Sequence, residues 1–318
     1  MTGSPHLPIV FCFSGQGSQY FHMAAELYRE DTVFRQWLQI GDDLVRAHSG
    51  VSVIDALYDT DRSPADPFSL LEETHPAIFL IQYALAKFLL NNGVRPDQLM
   101  GVSLGEFTAM ALSEMTAFDQ ALEVICAQPG IFQKTCQPGG MIGVLGNPEL
   151  HSDLPGESEI AGINADNHFV IAALTNTLDD IEGALTSRNV AAQRLAVPFA
   201  FHSKWIEPAA EELVKVFPGA CKPPRWPIWS SRSASQIGLP DKEFFWQTAR
   251  RPMRVRDTIR NIEKNGGAIY VDLGPSGTLA AILPQVLKPD TPSRILGILS
   301  PFGGLKKRLE AVLSLASS

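Results

Sequence analysis

The chain has 318 residues, of which 45% are hydrophobic and 19% are charged. This composition supports one large domain or two modest ones with a sizeable core, and it excludes a disordered chain. The formal net charge is −8 and no run of lysine or arginine is present. We therefore expect neither nucleic acid nor an anionic membrane as a partner.

Three further features bear on the compartment. The longest apolar stretch, residues 77–90, contains Gln82 and Lys87 and is too short and too polar to span a bilayer. The four cysteines share no CxxC spacing, and no basic start precedes the first apolar run. These features predict a cytoplasmic protein with reduced thiols, no secretory signal and no bound metal.

The first predicted element in the chain is a buried strand over residues 7–13, which runs into a glycine-rich turn at 14–19. A helix is expected from about Tyr20. The next predicted elements are helices at 32–48 and 76–90, a strand at 99–102, and helices at 104–112 and 118–127. Alternating strand, turn and helix predict a mainly parallel α/β sheet.

Residues 138–198 have a different character. Four β-like runs lie at 140–145, 160–163, 169–174 and 192–197, with one helix at 178–188 between the last two. The pattern predicts a small α+β insert at 138–198 within a discontinuous α/β domain formed by residues 1–137 and 199–318. A strand at 268–273 and a helix at 278–287 return to the α/β style.

A G-x-S-x-G motif at residues 101–105 stands between a predicted strand and a predicted helix. Small flanking residues allow the tight turn that lifts a serine hydroxyl to a helix N-terminus, so Ser103 is a candidate nucleophile. The backbone N–H of Leu104 could then help to stabilise an oxyanion. The alternative is that Ser103 and Glu106 only form a capping box.

A nucleophilic serine needs a base, and His202 is the candidate because it directly follows the insert. On spacing alone, the alternative is a packed or surface histidine. The other histidines, His75 among them, have surface positions or no distinctive context.

Five short motifs occur together in a fixed order: GQGSQ at 15–19, HPA at 75–77, GVSLGE at 101–106, FHS at 201–203 and DLGP at 272–275. Their order resembles that of malonyl-CoA:acyl-carrier-protein transacylases and of the acyltransferase domains of polyketide and fatty-acid synthases. The similarity covers about residues 8–288. It implies a hydrolase-like α/β core with an inserted ferredoxin-like subdomain and an active site between them. The family's helix between the first two insert strands has room here for only about one turn, at 147–156.

The resemblance also implies roles for individual residues. Ser103 would be acylated by a thioester, with His202 as general base and then general acid. The oxyanion would lie between the backbone N–H groups of Leu104 and Gln16. The family orients its histidine through a backbone carbonyl, for which Arg254 is our choice. Further expected substrate-binding residues are Asn164, Phe201, Val102 and Gln128. No bound cofactor is implied, since the acyl group arrives on the phosphopantetheine of an acyl carrier protein or on coenzyme A.

One departure from the family bears on the substrate. Malonyl-transferring members carry an arginine in the helix after the nucleophile, which forms a bidentate pair with the free carboxylate, and the matching residue here is Gln128. A buried carboxylate without its charged partner costs roughly 2–5 kcal/mol, or roughly a 30- to several-thousand-fold loss of affinity. Pro129 is expected to end the helix at Gln128. The alternatives are a misalignment or rescue by another arginine: Arg188, Arg194 or Arg232.

A second departure is Val102, where many malonyl-specific members have histidine. Together these features resemble the discrete acyl hydrolases that proofread polyketide synthases lacking built-in acyltransferases. The sequence therefore predicts hydrolysis of short uncharged acyl groups, such as acetyl, from acyl carrier proteins by a monomer. The main alternative is a trans-acting malonyl- or acyl-CoA:acyl-carrier-protein transacylase. A non-catalytic docking partner and a generic esterase with Ser…Asp…His order are further alternatives.

Overall fold

The computed structural model describes residues 7–317 except 217, 218 and 220. The first and last residues of the predicted α/β domain, 1–6 and 318, therefore lie outside the described residues. The strands in this part of the chain form two sheets. They are β1 (Ile9–Phe13), β2 (Gln98–Gly101), β3 (Gly139–Val144), β4 (Glu159–Ala165), β5 (His168–Leu174), β6 (Ala192–Arg194), β7 (Ile228–Ser230), β8 (Ser235–Gln236), β9 (Ile269–Asp272) and β10 (Arg294–Gly297).

The first sheet has the order β10-β9-β1-β2-β7-β8 and is parallel except for the β7–β8 pair. All five residues of β1 are buried because apolar clusters cover both faces of the sheet. Phe11 and Phe13 pack into one cluster, whereas Val10 and Cys12 pack into the other. This double coverage explains the continuous apolar run that predicts the strand.

The α-helices in the described residues are α1 (Ala25–Glu30), α2 (Thr32–Ser49), α3 (Val53–Leu57), α4 (Leu71–Asn91), α5 (Gly105–Leu112), α6 (Phe118–Thr135), α7 (Thr175–Ser187), α8 (Ala210–Lys215), α9 (Phe244–Arg250), α10 (Val255–Glu263), α11 (Thr278–Val286) and α12 (Leu305–Leu313). The expected helix start at Tyr20 is wrong, since α1 begins five residues later. His22 and Ala24 have φ values of 64° and 54°, and this left-handed backbone excludes a helix there. Within the described residues, no helix is both long and apolar enough to cross a membrane.

The second sheet is antiparallel throughout, with the order β4-β5-β3-β6, and α7 packs against it. The fold class is thus confirmed: a mainly parallel α/β core with a ferredoxin-like α+β unit. Between β3 and β4 the chain forms only a short 3₁₀ helix, Pro148–Asp153, with proline near its start. The boundaries at 138 and 198 stay a prediction, although all strands of this sheet fall between them.

Helix α6 does not end at Gln128, so that expectation is wrong. It continues through Pro129 to Thr135. Proline in a helix removes one backbone hydrogen bond and costs about 3 kcal/mol. Burial of Pro129 and Phe132 against neighbouring elements offsets this cost, since Phe132 has no exposed surface.

The two sheets meet next to the carboxyl ends of β1 and β2. The segment between α9 and α10 joins them. Arg254 donates its N–H to the Ser231 carbonyl, directly after β7, at 2.7 Å. Met253 donates its N–H to the Ala161 carbonyl at 2.8 Å, and its carbonyl accepts from the Ile163 N–H at 2.8 Å. Both partners belong to β4 of the second sheet. The segment after β6 then carries His202 to α9, where its N–H donates to the Ala249 carbonyl at 2.9 Å.

Candidate active site

Ser103 lies on a sharp turn between β2 and α5. Its φ of 53° is in the left-handed region, a strained conformation for serine that active sites often retain. The turn closes only because Gly101 and Gly105, two residues away on either side, have no side chain. A Cβ on Gly101 would lie 2.5 Å from the Cα of Glu106, and one on Gly105 would overlap the Phe13 carbonyl. The strand–turn–helix context predicted for this motif is therefore present.

The capping-box alternative is wrong. Helix α5 has Leu104 at its N-cap and no side-chain cap hydrogen bond. Glu106 instead accepts hydrogen bonds from the hydroxyls of Ser230 at 2.8 Å and Ser231 at 3.2 Å. Burial raises the pKa of the Glu106 carboxyl to about 7, against the opposite effect of these hydrogen bonds and of Arg232. Glu106 thus ties the start of α5 to the end of β7.

The Ser103 hydroxyl faces an imidazole. Ser103 Oγ lies 2.8 Å from His202 Nε2. The other ring nitrogen, Nδ1, lies 2.8 Å from the Arg251 carbonyl. A proton on Nδ1 donating to this carbonyl leaves Nε2 as the acceptor for the serine hydroxyl. The residues form a nucleophile–base–orienter chain whose third member is a backbone carbonyl.

Our choice of Arg254 as the histidine-orienting residue is wrong. The Arg254 carbonyl is occupied within α10, where it accepts from the N–H of Thr258 at 2.9 Å and from its hydroxyl at 2.8 Å. Arg251 ends α9 in an extended conformation and precedes Pro252. Its carbonyl is therefore directed out of the helix and towards His202.

His202 is held in a form that can accept a proton. Its side chain is buried, and this burial lowers the pKa of the imidazole to about 4, although the Arg251 carbonyl acts in the opposite direction. The ring is therefore neutral near pH 7, as a general base requires.

Two backbone N–H groups have the surroundings expected of an oxyanion hole. In the described part of the chain, no acceptor is hydrogen-bonded to the N–H of Leu104 or of Gln16. The turn that holds Gln16 lies against the nucleophile, since a Cβ on Gly15 would be 2.9 Å from Ser103 Cβ. Their role as oxyanion donors stays a prediction.

No sequence motif points to the side chain that holds the turn at Gln16 in place. Gln82 of α4 is fully buried and brackets the Ser14 backbone with two hydrogen bonds. Its Oε1 accepts from the Ser14 N–H at 2.7 Å, and its Nε2 donates to the Ser14 carbonyl at 3.1 Å. The Gln16 side chain adds a bond from Nε2 to Thr74 Oγ1 at 2.7 Å.

A pocket opens beside Ser103 and His202. Aromatic rings of Phe107, Phe132 and Phe201 form its apolar part, and Gln128 also lines it. The other lining residues are Gln16, His75, Leu104, Thr248 and Ala249. None of these described residues is a lysine, arginine, aspartate or glutamate. The pocket is thus apolar with neutral polar groups.

The sequence that forms this site is similar to those of known proteins. Residues 10–313 match the family described as "Acyl transferase domain". The chain belongs to this family. It is 39% identical over 309 residues to the "polyketide biosynthesis acyltransferase homolog PksD" of Bacillus subtilis strain 168, with 96% of this chain and 95% of that protein covered. It is 37% identical over 310 residues to the homolog BaeD of Bacillus velezensis, with 96% and 95% covered.

A solved structure shows the same fold. The acyltransferase domain from the second module of the salinomycin polyketide synthase has a TM-score of 0.85 and 25% identity, over 98% of this chain and 73% of that one. The family resemblance inferred from the five motifs is therefore confirmed. The alternative of a generic esterase with a late histidine is wrong, because the chain belongs to the acyltransferase family and its last histidine, His202, lies far before the end of the family match at residue 313.

Not every expected substrate-binding residue of this acyltransferase reaches the pocket. Phe201 and Gln128 line it, but Val102 and Asn164 do not. Val102 packs with Met100 in the apolar cluster on the opposite face of the sheet. Asn164 lies on β4 with Nδ2 at 3.4 Å from His168 Nε2.

The arginines considered as replacements for the missing clamp are engaged elsewhere in the acyltransferase. Arg188 pairs with Asp153, and Arg194 pairs with Asp179 and Glu182. Arg232 lies over the Phe244 ring, with its guanidinium carbon 4.7 Å from the ring centroid. None of the three lines the pocket.

Proposed function

We propose that this acyltransferase forms an acyl-Ser103 intermediate from acyl thioesters and passes the acyl group to water, releasing short uncharged groups such as acetyl. The observation that supports this proposal is the composition of the pocket beside Ser103. No lysine or arginine is among its described lining residues, so a carboxylate would find no positively charged partner there. Gln128 occupies the position where the family resemblance implies an arginine. Its side chain is buried, so bulk water cannot replace the missing charge.

The chemistry follows from the reaction centre. The Ser103 oxygen attacks the thioester carbonyl carbon as His202 Nε2 takes the hydroxyl proton, and the carbonyl oxygen becomes an oxyanion between the Leu104 and Gln16 N–H groups. The carbon–sulfur bond then breaks, and His202 returns the proton to the departing thiolate. A water molecule repeats the sequence on the serine ester, giving a carboxylic acid and free Ser103.

The proposed substrate is carried on the phosphopantetheine of an acyl carrier protein of a polyketide synthase. Support comes from the relatives of nearly equal length, both described as polyketide biosynthesis acyltransferase homologs. Lys204, Arg250 and Arg256 contribute little free positive charge for an acidic partner, because each of them is paired with a carboxylate. Lys204 pairs with Glu157, Arg250 with Glu159 and Glu207, and Arg256 with Asp166.

The test is mass spectrometry of carrier protein loaded with acetyl or malonyl groups, before and after incubation with the enzyme. We expect free acetate and unloaded carrier protein, with acetyl released at least about 30-fold faster than malonyl. Ser103→Ala protein is the control and leaves both loads intact. Faster release of malonyl would overturn the argument from the missing charge.

The transacylase alternative shares the same acyl-serine and differs only in the acceptor. The names of the two bacterial relatives favour acyl transfer in general. The same incubation therefore includes unloaded carrier protein and malonyl-CoA or acetyl-CoA. Loading of the carrier thiol faster than hydrolysis would establish the transacylase and overturn the proposed hydrolase.

A further inference from the structure

Three polar side chains in the pocket have hydrogen-bonding capacity that the protein leaves unused. His75 of α4 is 3% exposed, and its Nδ1 is buried with no hydrogen-bond partner in the described residues. Gln16 uses Nε2 on Thr74, while its buried Oε1 has no partner. Gln128 of α6 is 4% exposed, and none of the described groups is hydrogen-bonded to its amide.

All three groups are neutral. Burial lowers the pKa of His75 to about 3, so its imidazole carries one N–H donor and one nitrogen acceptor near pH 7. Its ring lies beside Phe201, with the two centroids 6.1 Å apart. The glutamine amides likewise offer both donors and acceptors. The pocket can therefore bind either a hydroxyl or a ketone, whereas a carboxylate finds no positive charge.

Buried polar groups in folded proteins are normally hydrogen-bonded, and an unpaired one indicates a missing partner. A purely hydrocarbon acyl chain would contact the phenylalanine rings but leave the imidazole and the amide unpaired. An acyl group with an oxygen at the right carbon would supply the partner. The family resemblance gives that carbon, because Gln128 stands where an arginine meets the malonyl carboxylate, whose carbon is C3 of the acyl group.

We propose that the pocket selects short acyl groups bearing a hydroxyl or ketone oxygen at C3, and that His75 and Gln128 are the residues that determine this preference. The inference rests on the proposed function, since it names the substrate class of the same pocket. A site built to hydrogen-bond an oxygen discriminates against an analogue that lacks it.

The experiment compares carrier protein loaded with butyryl, 3-hydroxybutyryl (each enantiomer) and 3-oxobutyryl groups. We expect kcat/KM for at least one C3-oxygenated group to exceed that for butyryl by about tenfold or more. Gln128→Met and His75→Leu should each reduce this ratio towards one while butyryl is still released. Gln133→Met is the matched control, because Gln133 is an exposed residue of the same helix outside the pocket lining, and it should keep the wild-type ratio.

A wild-type ratio near one, with acetyl still released to water, would overturn this inference and leave the proposed function standing. A high ratio that both variants preserve would overturn the assignment to His75 and Gln128. If acyl groups pass only to a carrier thiol, the proposed function fails instead, and the rate of acyl-enzyme formation measures the same ratio. His75→Leu protein that does not fold leaves Gln128→Met as the deciding variant.

Discussion

The reaction centre and the acyl pocket are adjacent, since Ser103 and His202 line the pocket, but they differ in the kind of groups that form them. At the reaction centre, backbone groups set the geometry: Ser103 lies on a left-handed turn, the Arg251 carbonyl lies 2.8 Å from His202 Nδ1, and the N–H groups of Leu104 and Gln16 are the predicted oxyanion donors. The pocket is instead lined by side chains from α4, α5, α6 and α9 and from loops, and these described residues are apolar or neutral. Under the proposed function, the Ser–His chemistry is preserved while the recognition of a charged acyl group is not. The reaction and the choice of substrate would then depend on different residues and could change independently.

The largest effect should come from removing the nucleophile. Ser103→Ala should lower kcat/KM with acetyl-loaded carrier protein by at least about 10⁴-fold, because no acyl-enzyme can form. The pocket is unchanged, so binding of acyl carrier protein should persist. Acyl-enzyme detection by intact-protein mass spectrometry checks the first point. A covalent acyl adduct on the variant would place the nucleophile elsewhere.

Placing a positive charge in the pocket should change the acyl preference without changing the reaction centre. Gln128→Arg should raise the malonyl-to-acetyl ratio of kcat/KM by roughly 30-fold to several thousand-fold, because a guanidinium can pair with the carboxylate. Acyl-enzyme formation with both substrates measures the ratio. Gln133→Arg, on the exposed side of α6, is the control and should leave the ratio unchanged. An unchanged ratio in Gln128→Arg would show that Gln128 does not occupy the carboxylate position.

The tight turn at Ser103 should tolerate no added atom. Gly105→Ala should lower the free energy of unfolding by about 3 kcal/mol, the upper end of typical overpacking costs, since the new Cβ overlaps the Phe13 backbone carbonyl. Gly130→Ala, in α6, is the control because its Cβ meets nothing within 4 Å. It should raise stability by about 0.5–1 kcal/mol. Urea denaturation measures both, and equal stability of the two variants would contradict the packing argument.

The smallest effect concerns pH. An ordinary histidine of pKa 6.5 would be about nine-tenths protonated at pH 5.5, which would cut activity about tenfold. Burial lowers the pKa of His202 to about 4, so the base should stay neutral at pH 5.5. We expect kcat/KM with acetyl-loaded carrier protein to change less than twofold between pH 7 and pH 5.5, and to fall only near pH 4. An acid limb with a midpoint near 6.5 would show that the free enzyme's imidazole is accessible to water.

Short sequence patterns predicted the structure correctly where the backbone conformation depends on residues close by in the chain. The glycines around Ser103 and the apolar run of β1 determine their own conformations, and both are present as expected. Prediction failed where packing outweighs local preference. Pro129 did not end α6 because burial of the helix offsets the cost of proline. Tyr20 did not begin a helix because the turn before α1 requires left-handed residues.

The sequence by itself identified the family, and it predicted Ser103 as nucleophile, His202 as base and Gln128 at the position of the family's arginine, since each of these inferences depends on the identity of residues within a short motif. Only the tertiary structure decided which groups meet. His202 lies 99 residues from Ser103 and 49 from Arg251, whose carbonyl rather than that of Arg254 it contacts. His75, Gln82 and Gln128 come together around the site because α4 and α6 pack beside the carboxyl ends of β1 and β2. Such contacts depend on helix packing over long chain separations, which short sequence patterns do not encode.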